Sequence, residues 1–162
     1  MSGLVSVLLL VISTSVVAQA PCPGNSGING YTSIVAINAA MTTALNAIKG
    51  GGVPKPPYVF TICPNTVLTS TVPLTPMLSG ATFVCGSDGT ASNKCSIQGG
   101  ANQVSIQDST VSGYPLQNVT FSGITFEGST QSSVLAGAGS GTTASFNGCS
   151  WSVSHSPFRN LL

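Results

Sequence analysis

Apolar and small polar residues alternate through Val119-Thr120-Phe121-Ser122-Gly123-Ile124-Thr125-Phe126. The same alternation returns in Ala144-Ser145-Phe146-Asn147-Gly148-Cys149-Ser150-Trp151. Each equivalent pair is 25 residues apart: Phe121 with Phe146, Gly123 with Gly148, Phe126 with Trp151. Alternation of period two is the mark of a half-buried strand. Ser122-Gly123 and Asn147-Gly148 interrupt it, and Gly and Asn tolerate the backbone angles of a bend. Each copy therefore predicts two short strands meeting at a corner. A fixed period in the twenties of residues marks a solenoid, and the simplest solenoid of cornered strands is a parallel β-helix with one coil per repeat. Coils stacked about 4.8 Å apart would place Phe121 over Phe146 and Phe126 over Trp151. The competing arrangement is a β-sandwich hairpin whose two halves are alike by coincidence.

The preceding chain fits the same plan. Residues 21–30 are rich in Pro, Gly and Asn and predict a loop. A helix is predicted over about 32–48, capped by Thr32 or Ser33, with Ile34, Ile37, Met41, Leu45 and Ile48 on one face. Lys49 suits its C-terminal end, and Gly50-Gly51-Gly52 stops it. Such a helix would cover the open edge of a first coil; it could equally pack on a small β domain. Strands are predicted at Tyr58–Ile62, Val67–Val72, Ala81–Val84, Cys95–Ile97 and from Val104, with Cys63-Pro64-Asn65-Thr66 as a turn. Ile97 precedes Phe121 by 24 residues, close to the repeat, and is set equivalent to it. The expected organisation is a leader at 1–18, a loop and capping helix at 19–57, three to four coils at 58–154 and a tail at 155–162. Phe126 and Trp151 call for a further layer: a stacked second chain, a fold-over by Phe158, Leu161 and Leu162, or coils lost from a longer ancestral domain. The last is the expectation taken here.

Composition sharpens the picture. Charged residues make up 4% of the 162, against about 25% in an ordinary domain. A net charge of +1 gives no electrostatic case for nucleic acid or an anionic membrane. Hydrophobic residues are 42%, so the low charge does not signal disorder. Residues 4–12 are apolar, and small residues follow to Ala20, as in a secretory signal peptide. Cutting after Ala18 satisfies the small-residue rule, whereas cutting after Ala20 would place Pro21 at the scissile bond. No Lys or Arg precedes the apolar run, which keeps an uncleaved anchor as the alternative. Five cysteines suit an oxidising compartment. Cys85 and Cys95 flank the turn-rich stretch 86–94 and are the first expected pair; Cys22 with Cys63 is the second. Cys149 replaces Ile124 in the repeat and is expected as an inward free thiol. Asn118-Val119-Thr120 is an N-glycosylation sequon, with Asn118 ahead of a strand; a plain turn role for that Asn is the alternative.

The two coils, with the helix, Gly-Gly and Tyr58-Val59-Phe60-Thr61-Ile62-Cys63-Pro64-Asn65-Thr66, resemble the pectin-lyase-like superfamily of right-handed parallel β-helices. More narrowly, they are similar to secreted β-helix proteins of diatoms and other algae. The resemblance covers most of 30–154 at the level of the fold. It implies a right-handed β-helix, an N-terminal cap and a polysaccharide connection, but not catalysis in itself. Pectin-cleaving members need clustered acids, as a carboxylate pair for hydrolysis or as a Ca²⁺ site with a basic residue for elimination. Asp88, Asp108 and Glu127 are the only acids, and His155 is the only histidine. The Asn-Thr-Asp, Asp-Asp, His-Gly and Arg-x-Pro elements are missing, so no catalytic residue, cofactor or metal ligand carries over. Asp108 and Glu127, 19 residues apart, should not stack, and the counterpart of Glu127 one coil on is Ser152. The expected function is a secreted, non-catalytic, cell-wall or matrix β-helix that contacts polysaccharide and can associate end to end through its C-terminal coil. The alternatives are a fragmentary or degenerate polysaccharide lyase or hydrolase, and an ice-binding protein using Thr69, Thr71 and Thr75.

Overall fold

The computed structural model describes residues 19–51, 57–106, 116–136, 142–152 and 158–160. The leader expected at 1–18, Asp108 and His155 lie outside the described residues. The chain is mostly β, with one α-helix and three parallel sheets.

Two strands, β1 (Ala20–Cys22) and β2 (Asn25–Gly30), pair antiparallel where a loop was expected. Pro and Gly content hid them, because a hairpin with an irregular register tolerates both. Helix α1 (Ile34–Lys49) follows, with the Ser33 side chain accepting the Ala36 N–H at 3.2 Å as its N-cap. Ile34, Ile37 and Met41 are buried, while Leu45 and Ile48 pack at the margin of the core. Asn38 ties the helix down: its Nδ2 donates to Pro73 O at 2.9 Å, and its Oδ1 accepts from Thr75 N at 3.1 Å. Tyr31 pairs with the first strand, its N–H donating to Thr61 O at 2.8 Å. A Cys22–Cys63 disulfide joins the hairpin to that layer.

The first sheet contains β3 (Tyr58–Ile62), β5 (Ala81–Cys85), β8 (Val119–Ser122) and β11 (Ala144–Asn147). The second contains β4 (Val67–Thr69), β6 (Cys95–Gln98), β9 (Ile124–Glu127) and β12 (Ser150–Ser152). The third contains β7 (Asn102–Ile106), β10 (Ser132–Ala136) and β13 (Phe158–Asn160). All pairings within these sheets are parallel. Consecutive strands enter the three sheets in one repeating order, with Leu74 bridging to Val104 for the earliest visit to the third. Two corrections follow. The strand expected over 67–72 ends at Thr69, and the tail expected at 155–162 contributes β13.

Register makes like residues meet. Phe60 pairs with Phe83, Phe83 with Phe121 and Phe121 with Phe146. Their ring centroids lie 5.3, 4.9 and 4.8 Å apart, all stacked. In the second sheet Leu68, Ile97, Phe126 and Trp151 form the matching column, with Phe126 and Trp151 stacked at 5.6 Å. Ile97 therefore belongs over Phe126, not level with Phe121 as the 24-residue spacing implied. The insertion responsible is the turn from Gly86 to Lys94, held by the Cys85–Cys95 disulfide. Leu74, Val104 and Val134 supply the third column. Phe83, Phe121 and Phe126 are fully buried between these columns, where each ring removes large apolar area from water and stacking adds pairwise attraction.

Candidate functional site

Alternation puts the other half of each strand outside. Because the strands are parallel and in register, outward residues also line up in rows across the layers. On the second sheet one row runs Val67, Ser96, Thr125, Ser150, and its neighbour runs Thr69, Gln98, Glu127, Ser152. On the first sheet a row runs Val59, Thr82, Thr120, Ser145. These faces are built from hydroxyls, one amide and one carboxylate, with exposed Val59 and Val67 at one end.

The second-sheet rows are internally bonded. Thr125 Oγ1 and Ser150 Oγ lie 2.9 Å apart. Gln98 Nε2 donates to Glu127 Oε2 at 2.5 Å and to Ser96 Oγ at 3.3 Å. Glu127 also offers its backbone carbonyl to Gly99 N at 2.9 Å and to Gln103 Nε2 at 2.5 Å. Gln103 was missed from sequence because strict alternation marks it as outward. It is fully buried at the corner between the second and third sheets, donating also to Ile97 O at 2.8 Å. Its Oε1 has no partner among the described residues. Ser129 and Ser133 are buried as well, with their hydroxyls 3.5 Å apart. Gln103 thus braces the strand end that presents Glu127, and Gln98 fixes that carboxylate within the row.

The acids are not assembled for bond cleavage among the described residues. Asp88 occupies the disulfide-bounded turn, where its Oδ1 accepts from Thr90 N at 3.1 Å, Thr90 Oγ1 at 3.0 Å and Asn93 Nδ2 at 2.5 Å. The Thr90 N–H, then the Thr90 hydroxyl and the Asn93 amide, hold its pKa below the usual carboxylate value. These bonds spend the carboxylate on turn geometry. Glu127 pairs in register with Ser152 one layer on. No group of three or more His, Cys, Asp or Glu able to hold a metal occurs among the described residues.

The remaining candidates fall in separate places. Cys149 is the free cysteine, half-buried, with its Sγ 3.6 Å from Phe121 O; burial raises its thiol pKa. Asn118 is exposed, just before β8, in a left-handed conformation with φ 57°. Thr69 lies in β4, but its row continues as Gln98, Glu127 and Ser152, so no threonine array builds on it. Thr75 turns its hydroxyl to Pro73 O at 3.3 Å. Among the described residues, no helix is long and apolar enough to cross a membrane.

Comparison of the chain with family models, with curated proteins and with solved structures returned no match.

Proposed function

We propose that this chain is a secreted, non-catalytic, right-handed parallel β-helix of the pectin-lyase-like kind, associated with a cell wall or extracellular matrix, whose second-sheet rows bind neutral polysaccharide. The single observation that carries the proposal is the Thr125–Ser150 hydroxyl pair, 2.9 Å apart within the row Ser96–Thr125–Ser150. A strand ladder repeats such groups every layer, about 4.8 Å apart, and each hydroxyl both donates and accepts. A sugar chain carries the same hydroxyl chemistry along its length, so it meets matched partners layer after layer. The near-neutral composition gives no electrostatic attraction for a polyanion. The two disulfides suit an oxidising compartment. The engagement of Asp88 within its own turn supports the non-catalytic part of the reading.

The test is co-sedimentation of the purified protein with insoluble polysaccharides, neutral and acidic, in parallel with product analysis. Retention on a neutral polymer, weakened by the double substitution Thr125→Ala with Ser150→Ala, is the expected result. Retention on none would refute the binding function. Release of unsaturated uronates or reducing ends from pectin or alginate would replace it with lyase or hydrolase activity.

A further inference from the structure

We propose that Asn118 is the acceptor of an N-linked oligosaccharide. The inference rests on the secreted placement proposed above, but not on polysaccharide binding. Asn118-Val119-Thr120 supplies the acceptor amide and the hydroxyl residue two positions on. The fold presents this tripeptide outward. Val119 is fully buried and fixes the register, so its neighbours on either side face away from the core. Asn118 is exposed and Thr120 half-exposed. The left-handed backbone at Asn118, with φ 57°, is one that Asn tolerates well among residues with a side chain.

The backbone around the acceptor is secured without using its side chain. Gln117 N donates to Ser79 Oγ at 3.1 Å, Asn118 N to Thr143 Oγ1 at 2.7 Å and Val119 N to Thr143 O at 3.1 Å. The side-chain amide of Asn118 has no hydrogen-bond partner among the described residues. A sugar attached there costs the fold none of these bonds. In the transfer, the amide nitrogen of Asn118 bonds to the anomeric carbon of an oligosaccharide carried on a lipid diphosphate. The sugar–phosphate bond breaks, the lipid diphosphate leaves with the electron pair, and the amide gives up one proton. The attached oligosaccharide then lies beside the first-sheet row of Thr82, Thr120 and Ser145. The rows of Thr125, Ser150, Gln98 and Glu127 belong to the second sheet.

The test is expression of the full chain in a eukaryotic secretory host, with medium and cell lysate both examined before and after treatment with a peptide N-glycosidase. A single mobility shift that the enzyme removes, with mass spectrometry then finding aspartate at position 118, is expected. Thr120→Ala should abolish the shift and Thr120→Ser should keep it, with Asn118 untouched in both. Chain in the medium without the shift overturns the inference while leaving secretion standing. Chain confined to the cytosol overturns both.

Discussion

Phe121 stacks on Phe146 with ring centroids 4.8 Å apart and planes 5° from parallel, although 25 residues of chain separate them. Phe83 lies on the other side of the same ring at 4.9 Å. Phe121 is fully buried, whereas Phe146 is only partly so. Phe121→Ala should therefore lower stability by about 3–5 kcal/mol, the range for emptying a buried aromatic site. Phe146→Ala should cost less. Urea denaturation of the two variants measures the difference, and equal losses would mean that Phe121 is not the enclosed member of the column.

Two corner glycines separate backbone strain from crowding. Gly123 and Gly148 both have positive φ, 68° and 59°. A Cβ at Gly123 would overlap the backbone carbonyl of Gly89, while at Gly148 it would meet nothing within 4 Å. Gly148→Ala should lose about 1–2 kcal/mol, the left-handed penalty alone. Gly123→Ala should lose clearly more, because backbone cannot move aside as a side-chain tip can. Thermal melts of both variants decide it.

The disulfides close loops of different length, with sequence separations of 41 for Cys22–Cys63 and 10 for Cys85–Cys95. In the chain-entropy account the longer loop contributes about 4 kcal/mol and the shorter about 3 kcal/mol. Replacing Cys22 and Cys63 together by Ser should destabilise the protein more than replacing Cys85 and Cys95. The reverse order in denaturant midpoints would show that anchoring the Gly86–Lys94 turn matters more than loop length.

Burial raises the pKa of Cys149 above the ordinary thiol value of 9.0. The folded state then holds the thiol proton more tightly than the unfolded state. This stabilisation is fully present below the unfolded pKa and is lost as pH rises through the folded pKa. Native protein at pH 7–8 should react slowly with a thiol reagent, while unreduced protein in denaturant should titrate one thiol per chain. Stability should fall on the alkaline side above about pH 9, and Cys149→Val should flatten that limb.

The repeat from Val119 to Trp151 was legible because both copies carry the same corner at the same offset, so alternation and period agree. The registers of Phe60 and Phe83 were not legible, since the Gly86–Lys94 turn lengthens one circuit and breaks the count. That is why Ile97 was set level with Phe121 when its partner is Phe126. Gln103 escaped for a different reason. Period-two logic assigns a polar residue beside Val104 to the surface, but at a sheet corner the same residue turns inward and bonds the carbonyls of Ile97 and Glu127. The outer rows could be foreseen only as a hydroxyl-rich composition. Which hydroxyls meet depends on register between strands, which no local pattern encodes.

Stacking of Phe83, Phe121 and Phe146 in one column is the claim from which both the rows and the corner follow. The most direct measurement is solution NMR of protein labelled at Phe and Trp, reading ring-to-ring NOEs. Contacts from Phe121 to both Phe83 and Phe146, with a separate contact between Phe126 and Trp151, are predicted. A folded protein in which Phe121 contacts neither Phe83 nor Phe146 would contradict the column, and with it the alignment of Thr125 with Ser150.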